Sequence, residues 1–449
     1  MRLTAVILAA GQGTRMKSTT PKVLHPLAGQ PLVSYAVDTA TRVTGVAPVL
    51  VVGHGSERVR AALGDRARYV MQAEQLGTGH AVLQARELLL GQADAVLVTY
   101  ADMPLLTEQT LRQMVEAHSR SASALTILTV VNEDPHGFGR VVRDAAGRVQ
   151  AVVEEAVCTP EQRAIRELNA GVYCFDAIWL WENLPRVPLS PKGEYYLTDM
   201  VGLAIAQGRP VNAVLCADES ELLGINTRVH LAEAEAALRS RINRYWMEAG
   251  VTLLNPATTC IDATVTIGQD TTIWPNTYLL GRTVIGSGCR IGPGSMVQDC
   301  QIGDDCAVTL SVLEHAVMED DSNIGPFGHL RKGARLCRGA HMGNFGEMKS
   351  STLGPGSKMG HFSYLGDAQI GANVNIGAGT ITCNFDGVHK HATVIEDDVF
   401  IGSDSMLVAP VRIGQGARTG AGSVVTHDVP AGAVVYGVPA RVKRPTGEQ

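Results

Sequence analysis

Ile370-Gly371-Ala372-Asn373-Val374-Asn375-Ile376-Gly377 places an aliphatic residue followed by glycine at every sixth position, and the beat resumes at Ile395, Ile401, Leu407 and Ile413, with Thr419 taking the next aliphatic place. A hexapeptide period reads as a left-handed parallel β-helix, in which each short strand is one side of a triangular coil and the aliphatic residue points to the axis. The small residues beside it sit at corners where the backbone turns sharply. Between Ile376 and Ile395 the beat is interrupted by Thr382-Cys383-Asn384-Phe385-Asp386-Gly387-Val388-His389-Lys390-His391. A loop thrown out of a regular coil is not needed for stacking, which makes it a candidate for function.

The 449 residues suit two or three domains. With a net charge of -6 and 18% charged residues, no basic nucleic-acid-binding face is expected, so any polyanion must be bound at a local site. Aromatics at 5% suit a solenoid core of Ile, Val and Ala. Nine cysteines are scattered with no Cys-x-x-Cys pair, which reads as reduced thiols packed as small hydrophobes rather than as a zinc site. Met1 to Ala10 reads as a first buried strand rather than a leader, because it runs straight into Gly11-Gln12-Gly13 without a cleavage pattern. No run approaches transmembrane length, and a soluble cytoplasmic protein is expected.

The first half alternates apolar runs of strand length (Ala5 to Ala9, Val49 to Val52, Ala95 to Thr99, Ala124 to Val130, Val149 to Val153) with helix-like stretches (Leu32 to Val43, Ala81 to Leu90, Thr107 to His118). That alternation argues for a Rossmann-like α/β domain with a mostly parallel sheet, whose ligands sit beyond the carboxyl ends of the strands. From Asn226 to Gly250, Leu231, Leu238, Ile242, Tyr245 and Trp246 recur at roughly helical spacing, which reads as an amphipathic linker helix. The expected division is 1–227 for the α/β domain, 228–249 for the helix and 250–449 for the coil.

Leu8-Ala9-Ala10-Gly11-Gln12-Gly13-Thr14-Arg15-Met16, followed by Pro21-Lys22, carries the chemistry of the first half. Two glycines after a buried strand let backbone N–H groups approach a triphosphate, and Arg15 and Lys22 can neutralise its charge. Neither a Walker A loop nor a dinucleotide fingerprint is present. The signature resembles the sugar-1-phosphate nucleotidyltransferases. Gln72 to Ala81, Tyr100-Ala101-Asp102-Met103-Pro104, Gly137-Phe138-Gly139-Arg140, Gly193 to Asp199 and the hexapeptide half narrow the match. Over its whole length the chain is similar to the bifunctional N-acetylglucosamine-1-phosphate uridylyltransferase/glucosamine-1-phosphate N-acetyltransferases.

That resemblance implies uridylyl transfer from UTP to N-acetylglucosamine-1-phosphate with release of pyrophosphate. Arg15 and Lys22 would be catalytic. Leu8, Ala9, Ala10, Gly11, Gly13, Lys22, Gln72, Gly77, Thr78, Tyr100 and Asp102 would hold the nucleotide, and Gly139, Glu154, Asn169 and Asn226 the sugar phosphate. Asp102 and Asn226 match the Mg2+ ligands, one carboxylate and one amide suiting an ion that keeps several waters. Asn226 could equally cap the linker helix, and Glu154 beside Glu155 could be a solvated edge pair. Ala101 and Phe138 depart from the commoner glycine and tyrosine.

The coil resembles acetyl-CoA-dependent acyltransferases that form homotrimers with sites between adjacent coils. By that resemblance His361 is the catalytic base for glucosamine-1-phosphate, a task that suits its pKa. Arg331, Lys349, Tyr364, Asn375 and Lys390 would hold the sugar phosphate, and Ala378, Asn384, Phe385, Ser403 and Ala421 would hold acetyl-CoA. Glu347 is expected to orient His361 or steady its charged form. Phe385 replaces a more usual tyrosine, and Gly437 stands where some relatives carry arginine, a charge that Arg441, Lys443 or Arg444 could supply. A role in making peptidoglycan and other envelope precursors is implied. Two competing readings remain: a single-function nucleotidyltransferase whose coil serves only to trimerise, and a non-enzymatic assembly subunit.

Overall fold

The computed structural model describes residues 1–133 and 137–444. The chain divides into two compact units, the first ending at Leu238 and the second beginning at Arg239. In the first, β1 (Leu3–Ala9), β2 (Val49–Val52), β3 (Arg68–Met71), β4 (Ala95–Tyr100), β5 (Leu125–Val131), β6 (Arg140–Arg143), β7 (Val149–Val153), β8 (Glu167–Asp176) and β9 (Val211–Leu215) form one sheet. Its order is β9-β5-β8-β4-β1-β2-β3, with β6 pairing β8 and β7 off this path. All five expected strands are present. Alternate residues of β1 serve opposite faces, Ala5 and Ile7 one core, Val6 and Leu8 the other, as the two-residue period of a doubly covered strand requires.

The β9-β5 and β4-β1-β2-β3 pairings are parallel, whereas β8 runs antiparallel to β4, β5 and β6, and β6 and β7 form an antiparallel hairpin. Strand β8 escaped the sequence reading because Asn169, Gly171 and two terminal acids break its apolar run. Its register against β5 slips between Asn169 and Tyr173. Chain order reverses at β1, which lies between β4 and β2, so a crevice opens beyond the carboxyl ends of β1 and β4.

Helix α1 (Leu32–Thr44) follows the expected span. The stretch read as one helix from Ala81 to Leu90 is two, α2 (Thr78–Leu83) and α3 (Arg86–Leu89). At the break the bonding tightens from i→i−4 to i→i−3, with the Gln84 and Ala85 N–H groups donating to the Ala81 and Val82 carbonyls, while the Gln84 side chain takes the His80 carbonyl at 3.0 Å. Helix α4 (Glu108–Arg120) is capped by Thr107, which accepts from the Thr110 N–H at 3.2 Å. Helix α5 spans Arg228–Glu248. Ala234 packs with Leu27 and Leu32 in the first unit, and Leu231 and Leu238 pack against that cluster. Ile242 and Trp246 pack against the core of the second unit. Tyr245, read as part of the apolar stripe, is 62% exposed.

The second unit is the expected left-handed parallel β-helix, with three stacked sheets of two- to five-residue strands. Along one face the inner positions are Ile261, Leu279, Val297, Leu313, Leu330, Met348, Leu365, Thr382, Leu407 and Val425. The beat therefore continues through a polar residue, Thr382, and only the segment after it leaves the coil. Thr382 is 1% exposed, and its hydroxyl accepts from the Gly366 N–H at 2.7 Å and donates to the Gly366 carbonyl at 3.1 Å. The tail is a hairpin of Val434–Gly437 against Ala440–Arg444. Gly437 turns it at φ 108, a conformation that an arginine there would adopt only under strain. Substituting Thr382→Val should leave the Gly366 N–H unpaired and destabilise the coil by about 1–3 kcal/mol, read as a lower denaturant midpoint at unchanged m-value.

Candidate functional site

The first unit holds a cleft of about 1240 Å³ at its topological switch point. Leu8, Ala9, Ala10, Gly11, Lys22, Gln72, Gly77, Thr78, Tyr100, Asp102, Gly139, Glu154, Asn169 and Asn226 all line it. Gly13 and Arg15 do not; Arg15 is exposed on a 3-10 turn, Thr14–Met16. The two glycines do different jobs. A Cβ on Gly11 would meet open space, whereas one on Gly13 (φ 64) would lie 2.7 Å from the Lys22 Cβ. Gly13 is thus what lets Lys22 cross the loop into the cleft.

There the Lys22 ammonium donates to Asp102 Oδ2 at 2.5 Å and to Asn226 Oδ1 at 3.0 Å. Three residues far apart in sequence converge on one positive charge, with the Lys22 side chain only 10% exposed. A cation already stands between a carboxylate and an amide oxygen, so the donor set fits magnesium, which takes few protein oxygens and fills its shell from water and phosphate. Among the described residues no cluster of three or more His, Cys, Asp or Glu side chains offers an alternative metal site.

At the other end, the Asn169 side-chain amide donates to the Tyr173 hydroxyl at 2.8 Å and accepts from the Gly171 N–H at 3.3 Å, while its N–H donates to the Gly139 carbonyl at 2.8 Å. Glu154 accepts from the Thr198 hydroxyl at 2.9 Å. Burial raises the Tyr100 phenol pKa, and the charges of Asp102 and Glu154 add to it. Burial likewise raises the Asp199 carboxyl, with Glu154 reinforcing the shift. This end is partly buried and rich in acceptors, chemistry suited to hydroxyl and amide donors.

Gln72 is buried and donates to the Gly77 carbonyl at 3.1 Å. The Gly193 to Asp199 motif, which carried no role in the sequence reading, braces this loop. Tyr195 exchanges main-chain hydrogen bonds with Leu76 and Gly79, both at 2.8 Å, and Thr78 accepts from the Leu197 N–H at 3.0 Å. A Cβ on Gly77 (φ 98) would lie 2.7 Å from the Tyr195 carbonyl oxygen.

On the coil, strand register brings the expected residues together from distant positions. Glu347 stands beside Tyr364, and Lys349 beside Gly366, on successive turns. Arg331 donates to Glu347 at 2.8 Å, so the carboxylate expected to serve His361 has Arg331, one of the residues expected to hold the sugar phosphate, as a partner. Lys349 has its pKa lowered by contact with the Lys390 ammonium, with Arg331 adding and Asp367 opposing. His361 and Asn375 are exposed, the latter registered between Lys358 and Phe400. Asn384 is buried, donating to Asp367 at 2.5 Å, while Phe385 is 59% exposed. Ala378, Ser403 and Ala421 occupy one corner on three successive turns. Their neighbours Gly377, Gly402 and Gly420 are stacked so closely that a Cβ on Gly377 would lie 2.6 Å from the Ser403 nitrogen. Asp367, which fixes Asn384 and lies close to Lys349, was not among the expected site residues.

Residues 5–170 match the profile of the MobA-like NTP transferase domain, and 264–299 and 392–427 match that of the bacterial transferase hexapeptide, six repeats. The bifunctional protein GlmU of Heliobacterium modesticaldum is 51% identical over 96% of this chain and 94% of its own length. The bifunctional protein GlmU of Geobacillus sp. strain WCH70 is 47% identical over the same shares. The chain belongs to the GlmU family. Like other GlmU proteins it is bifunctional, an enzyme that joins uridylyl transfer to acetyl transfer and acts on a nucleotide and an acyl-CoA. The match runs through both units, which excludes the single-function and non-enzymatic readings. Within the GlmU frame, Gly13→Ala should displace Lys22 and lower uridylyl transfer at least about tenfold, since small misplacements of a positioning group are costly. Acetyl transfer measured on the same sample should be unchanged.

Proposed function

We propose that the coil acetylates glucosamine-1-phosphate from acetyl-CoA and that the α/β unit then joins N-acetylglucosamine-1-phosphate to UTP, giving UDP-N-acetylglucosamine and pyrophosphate. The observation that carries this reading is the convergence of Lys22, Asp102 and Asn226 on one charge at the phosphate end of the cleft. In the uridylyl step a phosphate oxygen of the sugar attacks the α-phosphorus of UTP, and the bond to pyrophosphate breaks in line. Lys22, the Gly11 backbone and the exposed Arg15 neutralise phosphate charge, while Gly139, Glu154 and Asn169 orient the sugar. Asp102 and Asn226 would hold magnesium, which supplies further charge neutralisation on the phosphates. Domain limits of 1–227, 228–249 and 250–449 follow as functional boundaries.

In the acetyl step the amine nitrogen attacks the thioester carbonyl, His361 takes the amine proton, and the coenzyme leaves as its thiol. Arg331, Lys349 and Lys390 would take the phosphate, Tyr364 and Asn375 the hydroxyls, and Ala378, Asn384, Phe385, Ser403 and Ala421 the coenzyme. A homotrimer is supported by an exposed apolar ridge beside His361. Phe327 and Phe345 stack with centroids 5.1 Å apart, and Phe362 follows on the next turn. Among the described residues no helix is long and apolar enough to cross a membrane. The nine free cysteines suit a cytoplasmic location.

Supplying glucosamine-1-phosphate, acetyl-CoA, UTP and magnesium together should yield UDP-N-acetylglucosamine. His361→Ala should abolish acetylation yet still uridylylate preformed N-acetylglucosamine-1-phosphate, and Asp102→Ala should do the reverse. Loss of both activities in either variant would overturn the division of labour. Chelating the divalent cation should stop pyrophosphate release while leaving coenzyme A release intact.

A further inference from the structure

The insertion that leaves the coil after Thr382 is folded on itself. Phe385 and Lys390 pair across it as an antiparallel bridge, and the His391 N–H donates to the Asn384 carbonyl at 2.8 Å. Asp386 closes the far end. Its Oδ1 accepts from the Val388 N–H at 2.8 Å and the His389 N–H at 2.6 Å, and its Oδ2 meets His391 Nε2 at 2.6 Å. The His389 N–H, the His391 ring and the Val388 N–H together hold the Asp386 carboxyl far below the usual carboxylate range. The two backbone contacts make an Asx-type turn, and the His391 ring on the return leg adds a cross-hairpin tie that such a turn alone does not supply.

That shape confines a charge. Lys390 lies on the return leg opposite Phe385, the hairpin leaves the coil at the turn of Gly366 and Asp367, and Lys349 lies beside Gly366 on the preceding turn. The Lys390 charge reaches Lys349 and lowers its pKa, with Arg331 adding to it. Like charges so placed repel, and an exposed lysine on a loose loop would swing into water. A hairpin pinned at its tip and paired at its base removes that freedom. The outgoing leg is secured separately, by Asp367 holding the buried Asn384.

We propose that Asp386 is a positioning residue for acetyl transfer, closing the insertion into a rigid hairpin that holds the Lys390 ammonium beside Lys349 to receive the phosphate of the amino-sugar phosphate. This rests on the reading above that Lys349 and Lys390 take that phosphate. Because the two legs are fixed by different carboxylates, Asp386 serves the sugar phosphate and Asp367 the coenzyme side.

Steady-state kinetics of the full chain separate these roles, with uridylyl transfer as an internal control. Asp386→Ala should raise KM for glucosamine-1-phosphate about tenfold, the size of one charge-assisted hydrogen bond to phosphate lost, with kcat and the KM for acetyl-CoA within about twofold. Asp386→Asn keeps an acceptor for the two backbone N–H groups and should recover most of the loss. His391→Leu removes only the second anchor and should raise the sugar-phosphate KM about threefold, which keeps the test open if the alanine variant does not fold. An unchanged sugar-phosphate KM in these variants, or an equal rise in both KM values, overturns the proposal. If Lys390→Ala leaves the sugar-phosphate KM unchanged, it is the phosphate reading of the acetyl site that fails, and the positioning role falls with it.

Discussion

Main-chain hydrogen bonding between successive turns of the coil turns residues spread from Arg331 to Ala421 into one surface. Strand N–H groups donate to carbonyls on the adjacent turn, as Arg331 does to Met348 at 2.9 Å and Asn375 to Val399 at 3.0 Å, so side chains in register stand one strand spacing apart. Aliphatic residues fill the axis, and outward positions carry no packing duty. Polar and charged residues are therefore free to be chosen for chemistry. The stacked Gly377 and Gly402 corners carry the same constraint to its limit, because the backbones approach too closely for any side chain.

The α/β unit solves a similar problem differently. Its parallel strands end at one edge, and the loops after β1 and β4 bring Lys22 and Asp102 face to face. Asn226 arrives just ahead of α5. A positive charge held nearly dry between two oxygens neutralises the Asp102 carboxylate, and the same oxygens are placed for a divalent ion. Tyr100 lies between this site and the carboxylates of Glu154 and Asp199, and feels the charges of both Asp102 and Glu154.

Much of this was legible in the residues because the signals were periodic or local. Val49 to Val52 and Leu32 to Val43 could be read directly, and so could the hexad. Thr382 was misread because the rule sought an aliphatic residue, whereas the interior accepted a hydroxyl that satisfies both the N–H and the carbonyl of Gly366. The role of β8 was invisible because its register slip at Asn169 serves the cleft rather than the sheet. Glu347 was expected to orient His361 or steady its charge; register sets it beside His329 and Tyr364, and its carboxylate accepts from Arg331, a partner that could not be read from the residues alone. Gly13 looked like a phosphate-binding glycine, and only the path of Lys22 shows why it has no side chain.

The three-faced coil has a further consequence for how such a chain can change. Its interior repeats once per turn, so a whole turn can be gained or lost while the axial side chains still meet aliphatic neighbours. The outward columns have no such tolerance. Deleting one complete turn between Lys349 and Ser403 would slide one half of the functional surface a rung past the other, leaving a coil that can still close its core but is chemically out of step. Length in this architecture is quantised for folding and fixed for function, and a segment that leaves the axis, such as the hairpin after Thr382, is released from the first constraint while remaining bound by the second.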